Sequence, residues 1–182
     1  FDPISCITLN GEGAYQGGAY VGSMLQTASR GRSAWALDFS GEWRYLAEKF
    51  SWKPKAGAEF IYYSGNKPEE TVAKSTGDYN GWDPMYRGKF DSAIREFVGK
   101  FYQTSRYPAL PANVISSPDA SFTNQYQAVI MGSIQPIESL LLKINYNLFW
   151  NQEQYDMVTS KSGGFIGQEV DLQATWDYTE DV

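Results

Sequence analysis

The segment LLLKINYNLFWN, from Leu140 to Asn151, alternates between apolar and polar side chains from Leu142 to Leu148. Ile144 and Leu148 fall on one side of an extended chain, and Lys143 falls on the other. Alternation with a period of two is typical of a β-strand with two unlike faces. The segment exceeds the usual globular strand of about 5–6 residues and reaches the roughly 9–11 residues that a tilted strand needs to cross a bilayer. It therefore predicts a membrane-spanning strand.

Five more segments repeat this pattern, so we expect six long strands, the others at residues 4–15, 34–46, 52–64, 124–134 and 168–178. The links between them alternate strictly between short (47–51, 135–139) and long (16–33, 65–123, 152–167). Outer-membrane barrels show this alternation, with short periplasmic turns and long extracellular loops. The predicted fold is all-β, a fragment of an antiparallel up-and-down transmembrane β-barrel that forms one domain over 1–182. Because known barrels begin at about eight strands, the remainder of the same barrel is an expected partner.

Trp and Tyr side chains gather at both ends of the predicted apolar faces, while Leu, Ile, Phe, Ala and Gly occupy the middles. Aromatic residues make up 16% of the chain, and two aromatic girdles around an aliphatic band are typical of a lipid-facing surface. The expected location is therefore the bacterial outer membrane, with its lipid as a partner. The expected girdle residues are Trp35, Trp43, Tyr45, Trp52, Tyr62, Trp150, Trp176 and Tyr178.

The opposite face of the predicted strands is polar and would line a water-filled lumen. A turn centred near residues 48–49 predicts that Arg44 faces Lys53 in the second hairpin, and a diagonal contact from Glu42 would offset that like-charge pair. The expected lumen-lining residues are Asn10, Glu12, Asp38, Glu42, Arg44, Lys53, Lys55, Glu59, Lys143, Asn145, Glu169, Asp171 and Asp177.

The composition argues against several classes of function. The formal net charge of −6 disfavours nucleic-acid binding, which needs basic patches. The chain has no His, and Cys6 is its one cysteine, so His-based catalysis, a disulfide framework and a cysteine metal site are not expected. We expect no metal, no cofactor and no enzymatic activity. Paired carboxylates such as Asp38 with Glu42 leave glycoside hydrolysis as an alternative.

The longest link forms an expected extracellular loop at 66–121, far longer than the about 4–6 residues of an ordinary connection. Residues 89–102 predict a helix because Phe90, Ile94 and Phe97 recur at helical spacing. Two arrangements stay open: the helix folds into the barrel mouth and narrows the pore, or the loop caps the rim from outside. The pore-loop candidates are Lys89, Arg95 and Lys100.

Two motifs resemble the alginate-export family of outer-membrane porins. The first, GWDPMYRGKF at 81–90, follows a strand that ends YYSG, and the second, GQEVDL at 167–172, leads into WDYT. The resemblance covers most of the chain from about residue 34 onward. It implies a single-chain barrel of roughly 18 strands, with this chain in the C-terminal part, that exports an anionic polysaccharide or passes small solutes.

The leading hypothesis is thus an outer-membrane porin-like channel for passive diffusion or export of polar or anionic solutes. The alternative is a soluble carbohydrate-binding β-protein that stacks surface Trp and Tyr on sugars. An exposed apolar face favours the channel, whereas burial of that face under a second sheet or a helix favours the soluble protein.

Deleting residues 89–102 should raise single-channel conductance and shift selectivity toward cations. The physical reason is that removal widens the path and eliminates Lys89, Arg95 and Lys100, which leaves the wall acids unbalanced. Planar-bilayer recordings of the intact barrel with and without the segment measure both quantities. Unchanged conductance and reversal potential would mean that the loop lies outside the pore.

Overall fold

The computed structural model describes residues 6–21, 29–65, 80–82, 124–152 and 164–178. Within them the chain forms one antiparallel up-and-down sheet in which the strands pair in chain order, as predicted. No helix in these ranges is long and apolar enough to span a membrane. The predicted loop at 66–121, apart from 80–82, and the predicted helix at 89–102 lie outside the described residues. The strands are β1 (Ile7–Val21), β2 (Ser29–Trp43), β3 (Lys55–Tyr63), β4 (Gln125–Ile137), β5 (Leu140–Asn151) and β6 (Phe165–Trp176).

The first hairpin is longer than the sequence predicts. β1 and β2 continue through most of the predicted link at 16–33, so only residues 22–28 separate them. That link is shorter than the one between β2 and β3, at 44–54, and the predicted strict alternation of short and long links is therefore wrong. The physical reason is that backbone hydrogen bonds can extend a hairpin regardless of its side-chain pattern. The two strands therefore stay paired beyond the residues that alternate between apolar and polar.

The register between β2 and β3 also differs from the prediction, by two residues. Trp43 pairs with Ala56, so the predicted facing of Arg44 and Lys53 is wrong. A short 3-10 turn at Tyr45–Glu48, followed by further turn residues, uses more chain than the predicted tight turn. Lys53 lies in this link rather than in a strand, with a φ of 43°, and its side chain is exposed. A two-residue shift leaves the strand side chains on their predicted faces, because side-chain direction repeats every two residues.

Ser64, the residue that follows β3, is 5% exposed and makes hydrogen bonds that hold the end of this strand. Its amide donates to the Trp35 carbonyl, and its hydroxyl accepts a hydrogen bond from the Trp35 amide at 2.9 Å. The hydroxyl also donates to the Asn80 carbonyl at 2.7 Å. The Ser64 carbonyl accepts from the amides of Trp82 and Asn124. One residue thus connects β2, the start of β4 and the segment 80–82.

Replacing this residue, Ser64→Ala, should lower the free energy of unfolding by about 1–3 kcal/mol, because the partly buried Trp35 amide and Asn80 carbonyl lose their hydrogen bonds to the Ser64 hydroxyl. Ser40→Ala is the matched control, since within the described part of the chain the Ser40 hydroxyl makes one exposed hydrogen bond, at 3.4 Å from Asn10 Nδ2. The Ser40→Ala variant should lose no more than about 0.5 kcal/mol of unfolding free energy. Denaturant titrations of both variants refolded in detergent measure the difference. Equal losses would show that the Ser64 hydroxyl does not hold the strand ends.

Candidate functional site

One face of the sheet, here called the apolar face, carries large exposed hydrophobic side chains on all six strands. Leu172 is 78% exposed and Ile130 is 61% exposed. The main contacts between described elements run between neighbouring strands and between β3 and the 3-10 turn that precedes it, so no described layer packs on this face. Its principal exposed members are Tyr15, Trp35, Leu37, Phe39, Trp43, Phe60, Ile130, Ile144, Val170, Leu172 and Trp176.

Aromatic rings adjoin one another near both ends of the apolar face. At one end, the ring centroids of Tyr15 and Trp35 lie 4.6 Å apart, and those of Tyr126 and Trp150 lie 5.2 Å apart. The ring centroids of Trp150 and Phe165 lie 5.8 Å apart. The sequence prediction missed Phe165, because this residue precedes the predicted start of the last strand.

Of the predicted girdle residues, Trp35, Trp43, Trp52, Trp176 and Tyr178 are exposed, whereas Tyr62 and Trp150 are half-buried. Trp176 and Tyr178 contact each other at 6.2 Å at the opposite end from Trp150. Tyr45 belongs to the 3-10 turn, and its side chain lies outside the described part of the structure.

The other face, here called the charged face, is ordered into rows by the pairing of the strands. Lys55 pairs with Ser133, Ser133 pairs with Lys143, and Lys143 pairs with Gln173. These four residues form what we call the basic row. All four point to the same side of the sheet, because directly paired residues share a face.

Acidic residues occupy the next three rows of the charged face. Successive rows are two residues apart along each strand, which is about 7 Å. Glu12 lies directly opposite Asp38, a like-charge pair that disfavours the sheet unless water or other groups screen it. The three rows hold, in order, Glu42 and Asp171; Glu59 and Glu169; Glu12 and Asp38.

Two polar clusters connect these rows. The Glu42 carboxylate lies 3.5 Å from Arg44 Nε and 3.8 Å from Lys55 Nζ, so one acid stands between two cations. Arg44 also donates a hydrogen bond to the Thr8 hydroxyl. Glu42 thus contacts Lys55 rather than Lys53, the diagonal partner that the sequence predicted.

The second cluster crosses three strands. Gln127 Nε2 donates to Asn147 Oδ1 at 2.9 Å, and Asn147 Nδ2 donates to Asp171 Oδ2 at 2.6 Å. Gln127 and Asn147 are both buried, and hydrogen-bonded amides satisfy the polar groups that burial removes from water.

Part of the charged face is buried and apolar, which the sequence did not predict. Phe149 is 0% exposed, and Ile61 and Val129 are also buried. Gln125 is 2% exposed, and within the described part of the chain neither its amide nitrogen nor its amide oxygen has a hydrogen-bond partner. The signal in the sequence is that Ile61, Val129 and Phe149 are apolar residues in the polar phase of their strands.

Toward the opposite end, the charged face opens into a groove of about 300 Å³. Gly57 lines its floor, and a Cβ there would lie 2.8 Å from the Gly41 carbonyl oxygen and 3.0 Å from Met131 Cγ. A larger residue at position 57 would clash with these atoms, so the shape of the groove floor requires glycine there. Its polar lining consists of Glu42, Lys55, Glu59, Ser133, Lys143, Asn145 and Gln173.

The groove gathers five of the predicted lumen-lining residues, and the sequence prediction did not include Ser133 or Gln173. Asp177 lies beyond the end of β6, where it is exposed and its amide donates to the Ser139 carbonyl. Asn10, Glu12, Asp38, Glu169 and Asp171 lie elsewhere on the charged face. The pore-loop candidates Lys89, Arg95 and Lys100 lie outside the described residues.

Among the described residues, no group of three or more potential ligands is arranged to hold a metal ion. Glu42, one of the paired carboxylates considered for glycoside hydrolysis, is engaged by two cations. No protein-family model matches the chain, and a search of curated proteins finds no relative.

Proposed function

We propose that this chain forms part of the wall of a β-barrel in the bacterial outer membrane, and that the complete barrel is a passive channel for polar or anionic solutes. The observation that carries the proposal is the apolar face, whose exposed side chains extend over all six strands. Soluble proteins rarely expose a continuous apolar patch larger than a few hundred Å². Lipid is the solvent that such a face suits.

The distribution of residue types on the apolar face supports lipid rather than a protein partner. Rings adjoin near both ends, as in the contacts of Tyr126 with Trp150 and of Trp176 with Tyr178. Aliphatic Ile130, Ile144 and Leu172 lie between them. Aromatic rings favour the interfacial layers of a bilayer and aliphatic chains its hydrocarbon centre.

The edges of the sheet support completion by further strands. β1 and β6 each pair on one side only among the described residues. Unpaired backbone N–H and C=O groups are too costly to leave in hydrocarbon, so a membrane sheet must close on itself. Because β1 and β6 run in opposite directions, an even number of added strands keeps every pair antiparallel, which is the rule in bacterial barrels.

The charged face supplies the lumen in this proposal. It combines a basic row with three acidic rows, and such charged rings determine which ions enter a pore. The resemblance to alginate-export porins extends the proposal to polysaccharide as a solute. The alternative, a soluble carbohydrate-binding β-protein, requires a second layer over residues such as Leu37 and Leu172, which are 45% and 78% exposed.

Tryptophan quenching by brominated lipids tests membrane insertion directly. The protein is refolded into vesicles whose lipids carry bromine either near the headgroup or deep in the acyl chain. Girdle residues such as Trp35 and Trp176 predict stronger quenching by the shallow bromines. Equal fluorescence in brominated and plain vesicles, with protein remaining soluble without detergent, would favour the carbohydrate-binding alternative.

Two neighbouring substitutions test the assignment of the faces. Ile144→Arg should destabilise the folded barrel by roughly 2–4 kcal/mol, because this residue lies on the apolar face away from the aromatic ends. Asn145→Arg is the matched control on the charged face, and its neighbour Asp171 offers the new guanidinium an opposite charge. It should cost less than about 1 kcal/mol. Folding titrations into lipid vesicles measure both. A larger penalty at Asn145 would reverse the assigned faces.

A further inference from the structure

We propose that the groove on the charged face is a binding site for a phosphate monoester or inorganic phosphate, centred over Ser133 between Lys55 and Lys143. The inference deepens the proposed function, because it names a class of solute that the lumen would hold. It depends on the groove and its side chains, so the binding itself can be measured without a membrane.

The pairing of the strands places the three groups in line. Ser133 pairs with Lys55 on one side and with Lys143 on the other. Neighbouring strands are separated by about 4.8 Å, so the two lysine Cα atoms stand about 10 Å apart with the serine midway. All three residues line the same groove. Long, flexible lysine stems let both ammonium groups converge on an anion above the serine hydroxyl.

Among the described residues, Lys143 has no close carboxylate, and Lys55 shares the Glu42 carboxylate with Arg44. Lys143 is exposed and makes no hydrogen bond or ion pair with the described residues. Lys55 Nζ lies 3.8 Å from Glu42 Oε1, and the same oxygen lies 3.5 Å from Arg44 Nε. Charge-assisted hydrogen bonds between such groups are normally about 2.7–2.9 Å long. This end of the groove therefore retains positive charge that a solute anion can neutralise.

The number of charges favours phosphate over a carboxylate. A phosphate monoester carries about −1.5 to −2 at neutral pH and presents three strong acceptor oxygens. Two ammonium groups and one hydroxyl match that charge and that number of acceptors, whereas a carboxylate carries one charge. Glu59 lies two rows deeper in the groove, so repulsion keeps the dianion at the basic row.

The remaining lining explains why a small ester fits as well as free phosphate. Asn145 and Gln173 flank Lys143 and are neutral hydrogen-bonding groups. They can bind hydroxyl groups on the rest of the solute. The volume of about 300 Å³ exceeds what a phosphate ion alone needs, and it lies at the lower end of the usual range for small-molecule sites.

Equilibrium dialysis of the full chain with radiolabelled inorganic phosphate, in a detergent that carries no phosphate, measures this site. We expect saturable binding of one phosphate per chain. Lys143→Met should weaken it about tenfold or more, since a hydrogen bond to a charged group contributes that much. Lys143→Arg should retain binding. Lys53→Met removes the same charge from the exposed link outside the groove, and it should leave the affinity unchanged.

Competition in the same dialysis separates the possible ligands. Glycerol 3-phosphate should displace labelled phosphate, whereas glycerol, acetate and the diester glycerophosphocholine should not do so at equal concentration. Displacement by glycerophosphocholine would point to lipid headgroups and overturn the proposal, and displacement by acetate would overturn it in favour of any anion. Equal losses in Lys143→Met and Lys53→Met would show a general charge effect and no site. If the protein binds phosphate but does not insert into membranes, the proposed channel function is refuted and the phosphate site stands.

Discussion

The antiparallel register is the constraint on which both faces of this sheet depend. Side chains in a strand alternate with a period of two, so a slip of one residue between two strands would bring the charges of one onto the apolar side of the other. The pairing of β2 with β3 is the most sensitive to such a slip. Apolar residues occupy odd positions such as Phe39 in β2 and even positions such as Phe60 in β3. The link 44–54 has the length that keeps these two residues opposite each other and on one face.

The same register organises the charges. Because each row is a set of paired residues, the lysines of the basic row lie beside a neutral serine rather than beside each other. Glu42 is close enough to two cations to offset their mutual repulsion. The acids occupy successive rows, so the potential along the charged face changes sign within about 7 Å. A solute that moves along this face meets bases at one end and acids beyond them.

Exposure of the apolar face and burial of part of the charged face invert the usual arrangement of a soluble sheet, in which the apolar side is covered. Phe149 and Gln127 are buried on the side that carries charges, while Leu172 and Trp176 stand exposed on the other. This inversion agrees with the proposal that the sheet forms a wall between lipid and a lumen. It also explains why the rings of Tyr15 and Trp35 meet as exposed side chains on neighbouring strands and not within a core.

The sequence alone determined the number of strands and which of their residues lie on the apolar and the polar face. For Leu140–Asn151 it also determined the bounds of the strand. It could do so because the direction of a side chain in an extended segment is a local property. Only the tertiary structure decided that Ser133 stands between Lys55 and Lys143, that Lys53 leaves the strand, and that β1 and β2 continue to Val21 and Ser29. It alone also decided the burial of Phe149. Register, hairpin length and burial depend on the backbone of the partner strand and on what covers a face, and no single segment of sequence contains either.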